Sequence, residues 1–161
     1  MTTSDERWLR AAFELAQRAR ARGDEPYGAV LVDAAGELLL EAANTVVTGC
    51  DLTGHAETNL VRAASARFSP EVLAGCTMYA STEPCAMCAG AIYWGGIGRL
   101  VFGLSNARLY GEVLGLDASA NGLRLACREV LVHGGRRVEV VGPLLEDEAA
   151  EIVARAVGGA S

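Results

Sequence analysis

Two short clusters restrict this chain more than anything else in it: His55-Ala56-Glu57 and Pro84-Cys85-Ala86-Met87-Cys88. A helix-like run and a strand-like run separate them, so a fold that joins them must bring the starts of two segments to one point. His55, Cys85 and Cys88 amount to three metal ligands. Structural zinc sites close with four protein ligands, whereas catalytic ones keep three and leave a position for water. Glu57 is then placed to move protons rather than to bind metal. Two thiolates balance the charge of Zn²⁺, which still lowers the pKa of its water toward neutrality.

Spacing points the same way. Pro84 suits the first turn of a helix, where a missing N–H costs nothing. Cys85 and Cys88, three apart, share one face at the positive N-terminus of that helix, which favours thiolates. His55 and Glu57 are two apart and would face different ways in mid-helix. His55 is therefore predicted at the very start of its helix, directly after Thr53-Gly54. Leu60, Val61 and Ala64 mark the apolar stripe of a helix running to about Arg67. Two plainer readings remain at this point: a reduced cysteine pair near a core histidine, or a closed zinc site that uses another cysteine.

The rest of the chain supplies alternating helices and strands. A first helix is predicted over about Ser4 to Arg22, with Trp8, Leu9, Ala12, Phe13, Ala16 and Ala19 as its apolar stripe and Gly23 as its stop. Strands follow at Tyr27 to Val32 and Glu37 to Asn44, forming a hairpin across Asp33-Ala34-Ala35-Gly36. After the His55 helix come a breaker at Ser69-Pro70, a short helical segment and a strand at Thr77 to Ser81. The Cys85 helix runs to about Trp94 and is followed by a strand at Leu100 to Gly103. Further strands are expected at Val130 to His133 and Arg137 to Val141, with a final helix over Glu146 to Val157. This alternation predicts an α/β fold: a three-layer α/β/α sandwich around one central mixed sheet of about five strands. The last two strands could instead pair as an antiparallel hairpin at its edge. Leu104 to Arg124, with Tyr110, is a long irregular segment and a candidate wall of a pocket.

Charge narrows the partners. The chain carries 14 Lys+Arg against 20 Asp+Glu, a net −6, and has no lysine. Nucleic-acid binding leans on basic surfaces, because phosphate contacts dominate affinity, so small substrates fit this balance better. Arg18, Arg20 and Arg22, and later Arg136 and Arg137, read as solvated faces. No run approaches the ~20 apolar residues of a membrane span, and the first residues lack the basic and apolar regions of a signal peptide. Cys50, Cys76 and Cys127 are expected to be reduced and mostly buried, as in a cytoplasmic protein.

Taken in order, the motifs resemble one family. Gly28-Ala29-Val30-Leu31-Val32, Asn44, Thr53 to Glu57, Ser81 to Ile92 and Arg99-Leu100-Val101-Phe102-Gly103 are similar to the cytidine-deaminase-fold nucleobase deaminases; the pairing of H-x-E with P-C-x-x-C is the signature of zinc deaminases. The likeness covers about Glu25 to Phe102 and continues more loosely to the last helix. It implies one zinc-dependent deaminase domain over residues 1–161. It also implies Zn²⁺ on His55, Cys85 and Cys88, with zinc hydroxide attacking the amine-bearing carbon while Glu57 shuttles protons. By the same resemblance Asn44 would hydrogen-bond the base, assisted by the backbone at Ala56 and Pro84. A homodimer packed through helices near the site is the family expectation.

Among the branches, guanine deaminases are resembled at Ile92-Tyr93-Trp94 and at Tyr27, which places Trp94 and Tyr27 in the base pocket. The tRNA adenosine deaminases share Ala89-Gly90-Ala91 and Arg99 to Gly103, but their basic C-terminal end is replaced here by Glu146, Asp147, Glu148 and Glu151. Yeast-type cytosine deaminase is the third branch. Asp51-Leu52-Thr53-Gly54-His55 departs from the Asp-Pro-Thr-Ala-His of the first two. No aromatic follows Tyr110 to act as the C-terminal lid of guanine deaminases. The leading expectation is a deaminase of a free purine-type base, guanine first. The alternatives are a tRNA adenosine deaminase, a cytosine or nucleoside deaminase, and a non-catalytic zinc-stabilised domain.

Overall fold

The structure, a computed structural model, describes residues 3–117 and 122–158. Its elements run α1 (Thr3–Arg22), β1 (Gly28–Val32), β2 (Leu38–Ala43), α2 (Ala56–Ser65), α3 (Pro70–Ala74), β3 (Thr77–Thr82), α4 (Ala86–Trp94), β4 (Arg99–Leu104), α5 (Asn106–Arg108), a π-helical turn (Leu109–Val113), α6 (Cys127–Leu131), β5 (Glu139–Val141) and α7 (Glu146–Gly158). The strands form one sheet in the order β2-β1-β3-β4-β5. β1 is antiparallel to both β2 and β3, while β3, β4 and β5 run parallel. The expected mixed five-stranded sheet is present.

Every residue of β1 is buried, and alternation divides them between two layers. Ala29 and Leu31 meet Leu60, Ala64, Ile92 and Leu131 from the helices on one face, whereas Val30 and Val32 meet Leu9, Phe13 and Val153 from α1 and α7 on the other. The α/β/α sandwich follows from that division. Gly28 lets α1 lie close to the sheet, since a Cβ there would stand 2.4 Å from the Ala12 carbonyl oxygen. Buried charge on this face is paired: Asp5 accepts hydrogen bonds from Tyr79 and, through both oxygens, from Arg99.

Two expectations need correction. Val130 to His133 is not a strand: Val130 and Leu131 end α6, Val132 caps it and His133 lies in the turn that follows. The start of α6 is fixed by Glu83, whose carboxylate accepts the Cys127 N–H at 3.0 Å, and Cys127 and Leu131 fall on one buried helical face. The β-branched Val130 and Val132 mimic a strand, but Val132 is exposed. The last two segments therefore do not form a hairpin; β5 is confined to Glu139–Val141 and lies parallel to β4. All five cysteines are free, with Cys76 and Cys127 buried but Cys50 exposed, against expectation, at a positive φ in the turn before Asp51. Among the described residues no helix is long and apolar enough to cross a membrane.

Candidate active site

The antiparallel pairing of β1 with its neighbours sets where the chemistry gathers. It brings the start of β1 beside the ends of β2 and β3: Gly28 pairs with Ala43, and its N–H donates to Ser81 Oγ at 3.0 Å. The segments entering β1 and leaving β2, β3 and β4 thus meet at one end of the sheet, where α2 and α4 begin. Ligands in open α/β sheets characteristically sit at such carboxyl ends.

His55 and Cys85 occupy equivalent positions. Each is the residue before the first turn of its helix, with φ −69°, ψ 152° and φ −65°, ψ 172°, and neither side chain caps its own helix. Being outside the regular helix solves the spacing problem for His55 and Glu57, as expected. Pro84 consequently precedes the cap rather than opening the helical turn.

The loop that delivers His55 is tied down by side chains. Asp24 accepts from the backbone N–H groups of Val47 and Thr48, the Thr48 hydroxyl and Arg22. Asn59 Nδ2 donates to the carbonyl oxygens of Ala43 and Gly54 and to Thr45 Oγ1, and Thr58 Oγ1 donates to the carbonyls of Thr53 and His55.

His55 Nδ1 lies 3.7 Å from Cys85 Sγ and 3.5 Å from Cys88 Sγ. A tetrahedral zinc with its usual bond lengths holds sulfur and nitrogen ligands about 3.6 Å apart, so these residues fit the ion. All three ligand atoms lie within 4.8 Å of one another, and among the described residues no other cysteine joins them. The closed four-ligand reading therefore finds no support, and the centre has the three-ligand form of a reactive metal.

Glu57 is buried against this cluster, its Oε2 accepting from the Cys88 thiol at 3.6 Å. Burial raises its carboxyl to about 7. The hydrogen bond from Cys88, with His55 beside it, draws Cys85 down to about 4, and its bond to Cys85 in turn raises His55. Cys88 is pushed up, first by its bond to Cys85 and then by burial. A bound divalent cation would take both sulfurs as thiolates.

Beside the ligands is a cavity of about 220 Å³ lined by Glu25, Tyr27, His55, Glu57, Thr82, Glu83, Cys85, Asn106, Leu109, Tyr110 and Leu114. Drug-sized ligands occupy roughly 300 Å³ or more, so this space suits one small ring system. A wider groove of about 490 Å³ along α6 and β5 is lined by Arg128, Arg136 and Arg137 but holds no metal-type ligands, and Arg128 and Arg136 donate to backbone carbonyls.

Tyr27 is among the residues that line the cavity, and burial raises its hydroxyl pKa. The irregular segment also supplies a wall, through Leu109, Tyr110 and Leu114; its residues 118–121 lie outside those described. Asn44 is fully buried at the same end of the sheet. Its Oδ1 accepts from Val46 N–H at 3.0 Å and its Nδ2 donates to Glu25 Oε2 at 3.1 Å. Ala56 and Pro84 are buried beside the ligands.

Trp94 is a correction: its indole is 86% exposed and is not part of the cavity lining. It closes α4, about 13 Å along the axis from the metal-bearing start, and, two residues past Ile92, it lies on the side of the helix away from the buried face at Cys88, Ala89 and Ile92.

Sequence reasoning missed four lining residues. Glu25 carries no motif that distinguishes it from a strand flank, and Thr82 entered only as part of the Ser81 to Ile92 segment, with no role of its own. Asn106 follows Ser105, which caps α5 by accepting from Arg108 N–H. Glu83 was visible only as part of the segment before Pro84. Its Oε2 accepts from Asn106 N–H at 2.9 Å while Oε1 accepts from Cys127 N–H, so one carboxylate starts both α5 and α6.

The family described as the cytidine and deoxycytidylate deaminase zinc-binding region matches residues 2–104. A probable cytosine deaminase of Schizosaccharomyces pombe is 40% identical over 149 residues, 92% of this chain and 90% of that one. A tRNA-specific adenosine deaminase of Haemophilus influenzae is 44% identical over 102 residues, 63% and 59% of the two chains. The solved guanine deaminase of Nitrosomonas europaea superposes with a TM-score of 0.76 at 24% identity, covering 94% of this chain and 83% of that one, a likeness of fold.

Proposed function

Because the chain belongs to the cytidine and deoxycytidylate deaminase zinc-binding family, we propose that this zinc-dependent deaminase hydrolyses the amino group of a free nucleobase, acting as one domain. The observation that carries this reading is the cavity of about 220 Å³ into which His55, Cys85 and Glu57 converge. His55, Cys85 and Cys88 would hold the zinc, which supplies a Lewis acid that lowers the pKa of water toward neutrality.

The remaining work falls to the chain. Glu57, shielded from water and held near neutrality, takes a proton from the attacking water and passes it to the ring nitrogen beside the amine-bearing carbon. It then takes the second proton of the former water and delivers it to the amine, so that ammonia departs and a ring carbonyl is left. Tyr27, Leu109, Tyr110 and Leu114 offer apolar surface to the ring faces and exclude bulk water. By the family likeness the backbone at Ala56 and Pro84 would read the ring edge, with Asn44 contributing through the amide hydrogen and lone pair left over from its bonds to Glu25 and Val46.

Guanine is the first base to test, on the strength of Tyr27 and the likeness to guanine deaminase; Trp94 no longer supports it. Cytosine is a second reading, favoured by the relative that is 40% identical over nearly the whole chain. Excess acidic charge weighs against tRNA as the natural substrate. Helix α4 would pack against a second copy of the chain, since all nine of its residues are apolar or glycine while only Cys88, Ala89 and Ile92 are buried.

The experiment is ammonia release by zinc-loaded protein from guanine, cytosine, adenine, their nucleosides and an anticodon stem-loop, with Glu57→Ala as control. Turnover of one free base supports the reading. Turnover of the stem-loop alone overturns it in favour of tRNA, and silence throughout points to a non-catalytic role.

A further inference from the structure

Two polar atoms in the cavity wall have nothing to bond. Thr82 Oγ1 and Asn106 Nδ2 are buried without a hydrogen-bond partner among the described residues, and both side chains, each 5% exposed, line the space beside the metal ligands. A buried donor left unpaired is destabilising, and native structures hold few. Their neighbours make the two unusual. Asn44, the residue on which the family likeness places base recognition, is already engaged through Oδ1 and Nδ2. Glu83 accepts from two backbone N–H groups. The backbone of Asn106 is satisfied by that same carboxylate, so its side chain is not needed to hold α5 in place.

Thr82 and Asn106 come from the ends of two adjacent parallel strands, in a register that pairs Thr82 with Leu104, two residues before Asn106. Both residues belong to the cavity lining and form a polar strip in it, with Oγ1 and Nδ2 themselves covered to under 1 Å² of accessible surface. An amide N–H and a hydroxyl side by side can both donate, and the ring feature that accepts from two donors is an exocyclic oxygen.

We infer that Asn106 and Thr82 are specificity residues that donate to a ring carbonyl, so that the site takes amino-heterocycles carrying an oxo group, such as guanine or cytosine, and discriminates against adenine, which has none. This deepens the free-nucleobase reading and rests on it. Sites built to hydrogen-bond a substrate reject analogues that leave the protein group unpaired far better than apolar pockets reject a methylene.

The test uses zinc-loaded Glu57→Gln protein, whose turnover is slowed ~10²–10⁴-fold, titrated calorimetrically with two matched pairs: guanine with 2-aminopurine, and cytosine with 4-aminopyrimidine. The second member of each pair has a C–H in place of the carbonyl and an unprotonated ring nitrogen in place of the ring N–H. Adding Asn106→Ala is expected to weaken the oxo base about tenfold, the loss of one hydrogen bond, and to leave its partner within about twofold. Asn106→Asp, which replaces the donor with an acceptor, should weaken the oxo base further. Equal losses for both members of a pair, or no loss for either, would overturn the assignment.

A second measurement does not depend on the substrate. Thr82→Val removes the unpaired hydroxyl at constant shape and should raise the ligand-free Tm by roughly 2–4 °C, whereas an unchanged or lowered Tm would show that Oγ1 is satisfied and sink its role. If no base binds even before Asn106 is changed, the free-nucleobase reading fails by itself, and the Tm result still decides whether the strip is held open for a ligand.

Discussion

The metal-bearing floor of the cavity and its far wall are built on opposite principles. On the floor, His55, Cys85, Cys88 and Glu57 contact one another, and the loop before His55 is held by Asp24, Thr58 and Asn59. The wall, from Asn106 through Leu114, consists of α5 and the π-helical turn, is held by Glu83, Glu146 and Asp147, and carries in Asn106 Nδ2 a buried polar atom with no partner among the described residues. A fixed floor suits a reaction whose atoms must be placed within tenths of an ångström. A wall of two short pieces suits the part that differs between substrates.

The contrast is open to attack, and the largest effect is expected on the floor. Cys85→Ala should lose the ion, measured as zinc per chain, and lower kcat/KM by roughly 10³-fold or more, the several kcal/mol that a Lewis acid contributes. Glu57→Gln should keep zinc while kcat falls ~10²–10⁴-fold, the usual range for general acid–base catalysis; parallel loss of zinc would make Glu57 structural. On the wall, Tyr110→Ala is expected to raise KM about tenfold and leave kcat within about threefold, the mark of uniform binding. A fall in kcat equal to that of Glu57→Gln would erase the distinction between floor and wall.

Smaller effects test what supports the floor. Burial alone would raise the Asp24 carboxyl, but hydrogen bonds from the Thr48 backbone and hydroxyl and from Arg22 outweigh it and hold the group at about 2. A depressed carboxyl stabilises the fold fully above its unfolded value of about 3.9, and that contribution is lost as pH falls through about 2. Thermal melts between pH 5 and pH 2 should therefore show a steeper acid loss for the natural protein than for Asp24→Asn, and the variant should be the less stable at pH 7. Superimposable curves would mean that Asp24 does not anchor the loop. Trp94→Ala, at the far end of α4, should leave kcat/KM within about twofold and change only association between copies, read by light scattering.

The floor was legible because metal chemistry fixes residue types: few residues besides histidine and cysteine serve such an ion, and their spacing demanded two helix starts. The sandwich was legible for a similar reason, since alternation in β1 and the stripe of α1 each specify a buried face. The wall obeys no such code. Asn106 and Thr82 are ordinary residues whose meaning depends on strands that pair in space, and Val130 to Val132 resembles a strand until Glu83, more than forty residues earlier, supplies a helix start. Trp94 went wrong because an aromatic after a ligand-bearing helix reads as pocket lining, while the length of α4 carries it away.

Glu83 stands two residues before Cys85 in the chain, yet it fixes the positions of α5 and α6. The wall is therefore gauged from the metal ligand and not from the sheet edge, as a jig is set from the part it must serve. Exchanging residues 104–131 for those of a relative, as one would to transplant substrate preference, should succeed only where the incoming segment presents two backbone N–H groups to that carboxylate. Segments that do not would arrive with their side chains displaced, whatever their sequence encodes.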